Sequence, residues 1–418
     1  MKICIERKIY FTVATTQKTT KKIKKLRLSN FVKVIGLSNC QDLYIENGII
    51  RLKEDIKQIH DFNLINAEDC VISPGFVDVQ VNGYKDCNFC GSKLPTFSQI
   101  DSLRHELALH GIVAFCPTII TAPQEKIIET VKHINSYLKQ TSESLGSRIL
   151  GIHIEGIFIT KFGVHESTYV KKDLTVKEIE PFIKDNVMIF TLAPELDKTG
   201  EAIKYLKKNN ILVSIGHSNA TYKEGQVAIK NHYLNTVTHM FNALRGVSGF
   251  SHRPNESGNI EVLNAKLEDE SKIKPNEDGI ILALLNSKEV LCMTIADGIH
   301  VDKEVVTLLR KYKDNEHFGL ASDIVSTDFY NFYKEKKLLG GSQATLDKCV
   351  SNLISWKVSN LEDCLVSASM PISKKLNVAK NIGLGRISIG NQANIVLWDT
   401  KRSCVRGTII GENVFLNY

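Results

Sequence analysis

ILVSIGHS (Ile211–Ser218) reads as a buried strand with a chemical end. Its first five residues are almost wholly aliphatic, as a strand covered on both faces must be. It then stops on Gly216-His217-Ser218. Seven other runs share this form: VISPGFVDVQV from Val71, IVAFCPTII from Ile112, ILGIHIEG from Ile149, VMIFTLAPE from Val187, TVTHMFNA from Thr236, VLCMTIADGIH from Val290 and HFGLASDIV from His317. Helical patterns separate them. Ile127, Val131, Ile134 and Leu138 mark one apolar face after Pro123, and Thr175 with Glu178 has the spacing of a helix start. Eight buried strands alternating with helices predict an α/β fold, a (β/α)8 TIM barrel over residues 71–384.

Working outward, the ends do not fit a barrel. Asn47-Gly48 between two apolar runs signals a type I′ hairpin, and Ala393–Asp399 and Val405–Gly411 also read as strands. The expectation is a small β-sandwich domain assembled from both termini, residues 1–70 and 385–418. The charge-rich stretch Leu263–Gly279 reads as a mobile surface insertion.

The 418 residues carry 53 Lys+Arg against 46 Asp+Glu, a formal charge of +7, with 43% hydrophobic residues. This is globular composition and excludes collagen, coiled coil and disorder. The basic run Lys18–Arg27 reads as a solvated strand edge, with no nucleic-acid motif beside it. Ten cysteines are too few for a disulfide scaffold, and the lone Cys87-x-x-Cys90 pair reads as two free thiols. The start MKICIERKIYFTV lacks a signal-peptide pattern, and no apolar run is long enough to span a bilayer. The expectation is a cytoplasmic protein with no membrane or nucleic-acid partner.

Active sites of such barrels lie at the C-terminal ends of the strands. Period two places His153 and Glu155 on one face of the third strand; the fifth ends at His217, the sixth at His239, the seventh at Asp297 and His300, the eighth at Asp323. Each alone has an ordinary reading, a hydrogen-bonded surface histidine or, for Asp323, a helix N-cap. Together, Glu155, His217 and His239 make a mixed N/O ligand set for a divalent ion, and Asp323 is placed to take a proton from water and pass it to a leaving amine. The first strand offers Gln80 and Asn82, neutral amides, so one ion is expected rather than two; Gln80 and Asn82 are read as partners of water or substrate. Asn242 and Arg253 lie in a loop suited to grip an anion, with an Arg253–Glu256 pair as the plainer alternative.

These strings in order resemble the N-acetylglucosamine-6-phosphate deacetylase family of the amidohydrolase superfamily. The carrying motifs are PGFVDVQVNG (Pro74–Gly83), GIHIEGIF (Gly151–Phe158), LAPE (Leu192–Glu195), GHSNATY (Gly216–Tyr222), THMFNAL (Thr238–Leu244), HRPNESG (His252–Gly258) and IADGIHVD (Ile295–Asp302). The resemblance implies a homodimer that removes acetyl from N-acetyl-D-glucosamine 6-phosphate, giving D-glucosamine 6-phosphate and acetate. It implies Glu155, His217 and His239 as ligands of one divalent ion, Zn²⁺ or Fe²⁺ first and Mn²⁺ or Co²⁺ next. It implies Asp323 as catalytic acid/base, and His165, Asn242, Ala243, Arg253, His300 and Gln80 as substrate contacts. Three departures stand out: Ile157 where the family has proline, Ile324 where it has alanine, and an altered loop after Arg253. The alternatives are an amide hydrolase for another substrate and a non-catalytic amino-sugar-phosphate binder.

Overall fold

The computed structural model describes residues 19–141, 146–231, 233–247, 258–376, 378 and 382–417. Eight parallel strands form the barrel wall: β1 (Phe76–Val81), β2 (Ile112–Ile119), β3 (Ile152–Glu155), β4 (Val187–Leu192), β5 (Leu212–Ile215), β6 (Thr236–Val237), β7 (Leu291–Thr294) and β8 (Phe318–Leu320). Neighbours in sequence are neighbours in space from β1 to β8. The ring closes where Val81 bridges Ile324 and Asn82 N–H donates to the Ile324 carbonyl at 2.8 Å.

The strands are covered by helices whose apolar stripes face inward. In α1 (Gln124–Gln140), Ile127, Val131, Ile134 and Tyr137 are buried, with Leu138 half-buried at the stripe's edge. Pro123 is the N-cap of that helix, one residue ahead of its first turn. In α2 (Val176–Ile179), the Thr175 side chain accepts from the Glu178 N–H, the spacing read from the sequence.

The first apolar run divides at Gly75. Cys70–Pro74 pairs antiparallel with Asn394–Asp399 in a six-stranded terminal sheet, and only Phe76–Val81 enters the barrel. A Cβ at Gly75 would lie 2.2 Å from a Val113 methyl, so the chain can cross between sheets only on glycine. A four-stranded sheet containing Lys25–Ser29 and Asp42–Glu46 packs on the first, burying Leu26, Leu28, Ile45, Ile72, Ile395 and Leu397 between them. The hairpin at Asn47-Gly48 has φ of 51° and 74°, the two positive values a type I′ turn needs.

The described part of the basic run is an edge strand, Thr19–Lys22, as read, followed by an inner strand, Lys25–Ser29, and its charges are paired: Lys22 to Glu412 at 3.1 Å, Lys25 to Asp61 at 3.5 Å and Arg27 to Asp42 at 3.0 Å. One expectation changes. Leu263–Gly279 is no loose insertion. It carries the second half of a helix, Gly258–Glu268, and returns through a 3-10 turn to a fully buried Asp278. The Lys266 ammonium reaches Asp278 at 2.6 Å, and the Lys274 N–H adds a bond at 2.7 Å. The charge count misled because two of those charges neutralise each other inside.

Lys266→Met leaves the Asp278 carboxylate buried without its cation. We expect a loss of about 3 kcal/mol in urea unfolding; a loss under about 1 kcal/mol contradicts the account.

Candidate metal centre

Glu155, His217 and His239 arrive from the ends of β3, β5 and β6, and one donor atom from each lies within 4.8 Å of the others. The Glu155 Oε1 stands 2.7 Å from His239 Nε2 and 3.3 Å from His217 Nε2, and the two Nε2 atoms are 3.2 Å apart. His217 Nδ1 donates to the Lys161 carbonyl at 2.8 Å, which leaves its Nε2 a lone pair. Lone pairs and a carboxylate oxygen converging in a dry site repel one another unless a cation stands among them. The donor set fits a divalent ion, with the three protein ligands that a catalytic site uses.

Burial alone would raise the Glu155 carboxyl, but hydrogen bonds and charge from His217 and His239 hold it well below the usual range. The Asp323 carboxyl is pushed up to about 7, first by burial and then by the Glu155 charge. One amide links the two: Gln80 Nε2 donates to Glu155 Oε2 at 2.8 Å and to Asp323 Oδ1 at 3.1 Å, and Asn82 Nδ2 adds a 2.6 Å bond to Asp323 Oδ1. Gln80 is fully buried, and its Oε1 accepts from Thr238. Both its amide hydrogens are taken by Glu155 and Asp323, and Asn82 is the first-strand residue that lines the cavity. The N-cap alternative for Asp323 also falls, because Ser326 caps the following helix.

The cavity over this floor is lined by His165, Asn242, Ala243 and His300 as well as the ligands and Asp323. Asn242 Nδ2 and His300 Nε2 are buried there with no hydrogen-bond partner. His300 Nδ1 is held by Asp297 Oδ2 at 2.7 Å, so Nε2 is the atom presented to the cavity. Arg253 and His252 lie outside the described residues. His153, on the lumen face as read, turns below the site to Val79 O at 2.8 Å and Thr191 Oγ1 at 2.7 Å.

Sequence reasoning did not single out Thr121. Its hydroxyl accepts from the Ile157 N–H at 2.9 Å and meets His165 Nδ1 at 2.8 Å. The Thr121 N–H also points at that nitrogen, at 3.4 Å. Two donors on Nδ1 put the ring proton of neutral His165 on Nε2. Burial, then the neighbouring His217, hold His165 well below the usual histidine range, so it stays neutral. The Ile157 departure belongs to this network. Its N–H makes a bond proline cannot make, and its φ of +69° is closed to proline. Ile324 is fully buried; its backbone bridges Val81, where the barrel closes, and also Ser342.

No family model matches the chain. N-acetylglucosamine-6-phosphate deacetylase of Mus musculus is 27% identical over 404 residues, 90% of this chain and 91% of the relative. The crystal structure of N-acetylglucosamine-6-phosphate deacetylase from Pasteurella multocida covers 94% of this chain and 100% of its own, with TM-score 0.74 and 22% identity. A mutant of the Mycobacterium smegmatis deacetylase, solved in complex with N-acetyl-D-glucosamine-6-phosphate, covers 93% and 98%, with TM-score 0.73 and 19% identity. The chain is thus similar to these deacetylases over about nine-tenths of its length, and it shares the fold of the solved structures. A barrel with neutral amides on its first strand and one Glu/His/His cluster has donors for one ion among the described residues. Cys87 and Cys90 are free thiols, and burial pushes the Cys90 thiol up to about 12, far from a metal-binding thiolate.

Below the cluster, Asp78 is fully buried; one carboxylate oxygen has no partner, and burial pushes the carboxyl up to about 6. Its folded value exceeds its unfolded value, so the native state binds the extra proton and Asp78 costs stability as pH rises from about 4 to about 6. Asp78→Asn removes that cost. The variant's advantage in chemical unfolding is expected to grow by about 3 kcal/mol at most from pH ~4 to pH ~7; an advantage that is flat with pH contradicts it.

Proposed function

We propose that this chain hydrolyses the acetamide of N-acetyl-D-glucosamine 6-phosphate to D-glucosamine 6-phosphate and acetate. The observation that carries the reading is the Glu155/His217/His239 cluster with Asp323 one amide away, at the floor of a cavity in a chain that matches curated deacetylases over nine-tenths of its length. A divalent ion held by Glu155, His217 and His239 supplies Lewis acidity toward the amide carbonyl and acidifies the attacking water. Zn²⁺ or Fe²⁺ suits the donors best, with Mn²⁺ and Co²⁺ also compatible.

The remaining work falls to side chains. Asp323 takes the proton of the attacking water and returns it to the amide nitrogen as the C–N bond breaks. Asn82 and Gln80 both bind Oδ1, which aims the other oxygen at the reacting atoms. His165, with Nε2–H toward the cavity, donates to a sugar oxygen. His300, anchored through Asp297, offers Nε2 to the substrate: as a neutral ring it accepts a hydroxyl, and protonated it donates to an oxygen. Asn242 and Ala243 line the cavity, and Arg253 is assigned to the 6-phosphate on the family resemblance alone. We assign the enzyme to the cytoplasm as a homodimer, in keeping with the family it resembles. No described helix is long and apolar enough to cross a membrane.

The test is acetate release from N-acetylglucosamine 6-phosphate, with and without divalent ion, beside the unphosphorylated sugar. Release that needs both ion and phosphate is expected; release from neither sugar by ion-loaded protein sinks the assignment. Asp323→Asn is expected to bind substrate yet turn over roughly 10²-fold more slowly or worse. Arg253→Ala is expected to raise KM for the phosphorylated sugar roughly 10-fold or more, the scale of a lost charge-assisted pair. An unchanged KM would point to a different amide substrate.

A further inference from the structure

We infer that Glu195, which touches neither the cavity nor the ligand atoms, positions His217 as a metal ligand by tying two strand-end loops together. The inference rests on the metal reading above.

Glu195 lies in the turn that follows β4, between the loops after β3 and β5. Its Oε1 accepts from the Thr160 hydroxyl at 2.5 Å and from the Asn219 N–H at 2.8 Å; its Oε2 accepts from the Ser218 hydroxyl at 2.7 Å. All three partners donate, and a carboxylate is the side chain that only accepts. Thr160 belongs to the β3 loop, while Ser218 and Asn219 directly follow His217. The same loops meet around the histidine. Thr160 N–H and Lys161 N–H donate to the His217 carbonyl at 2.9 and 3.0 Å, and the Lys161 carbonyl takes the His217 Nδ1 proton at 2.8 Å.

The ring orientation and tautomer of His217 therefore depend on where Lys161 sits, and Glu195 fixes Lys161's loop to His217's own. His217 also has φ +49°, a conformation that needs support from its neighbours. Without the carboxylate, the Ser218 hydroxyl loses its acceptor; the Asn219 N–H keeps only Thr160 Oγ1 at 2.8 Å, and the Thr160 hydroxyl only the His217 carbonyl at 3.4 Å. The loops then keep their direct bonds at Lys161 and His217 but lose the brace beside them. Support of a ligand at this remove typically changes metal affinity by about 10–100-fold.

The experiment titrates metal-free full-length protein with Zn²⁺ or Co²⁺ and reads Kd, at a temperature where circular dichroism shows each variant folded. Glu195→Ala is expected to weaken binding about 10–100-fold. Glu195→Gln keeps an acceptor for Thr160 and Asn219, and the Ser218 hydroxyl can turn to accept, so it is expected to recover most of the affinity. Asp278→Asn, remote from the ligands, controls for general loosening: a lower Tm with unchanged Kd. If E195A does not fold, Thr160→Val and Ser218→Ala each remove one arm and are expected to weaken binding several-fold. Alanine variants within about two-fold of wild type overturn the role of Glu195, as does a glutamine variant as weak as alanine. Wild-type protein that binds no ion overturns the metal reading instead.

Discussion

Two carboxylates, buried Glu155 and half-buried Asp323, share the single amide of Gln80. Like charges so close oppose each other's ionisation. The arrangement around them answers that cost in two ways. Glu155 is turned to two imidazoles and kept anionic, while Asp323 receives only neutral amides and is left able to carry a proton. On the proposed function, one strand end serves as a ligand and the other as a proton carrier because of what each faces. A cation beside Glu155 would complete the balance, and Gln80 and Asn82, as neutral amides, add no charged donor for a second ion.

Holding these groups requires unusual backbone. His217, His239, Phe241, Ala243 and Asp323 all have positive φ, and each stands just past a barrel strand. Non-glycine residues there cost about 1–3 kcal/mol each, so the surrounding structure must hold them. The barrel beneath does so: Val79, Ile154, Ile215, Val237 and Leu320 are buried almost completely. Strain gathers where a side chain must turn from the wall of the barrel into its mouth.

Much of this was legible one residue at a time. The eight runs, the hairpin at Asn47-Gly48 and the polar ends at Glu155, His217, His239 and Asp323 follow from local pattern, since strand burial and period two act over a few residues. Less legible were features that depend on distant partners. Lys266 and Asp278 look like surface charges until they are seen facing each other. Cys70–Pro74 looks like part of the first barrel strand until Asn394–Asp399 pairs with it. That Gln80 links Glu155 to Asp323 through its two amide hydrogens cannot be read until all three strand ends are seen together.

The sequence by itself determined the class of fold, the strand ends that carry chemistry and the residue types available there, because these rest on periodicity and on what a side chain can bind. Only the tertiary structure decided how they divide the work. Which amide supports which carboxylate, which ring nitrogen of His165, His217 or His300 faces the cavity, and which carboxylate braces the loops are set by contacts between residues dozens of positions apart. Hydrogen-bond direction depends on the partner in space, and no local pattern specifies that partner.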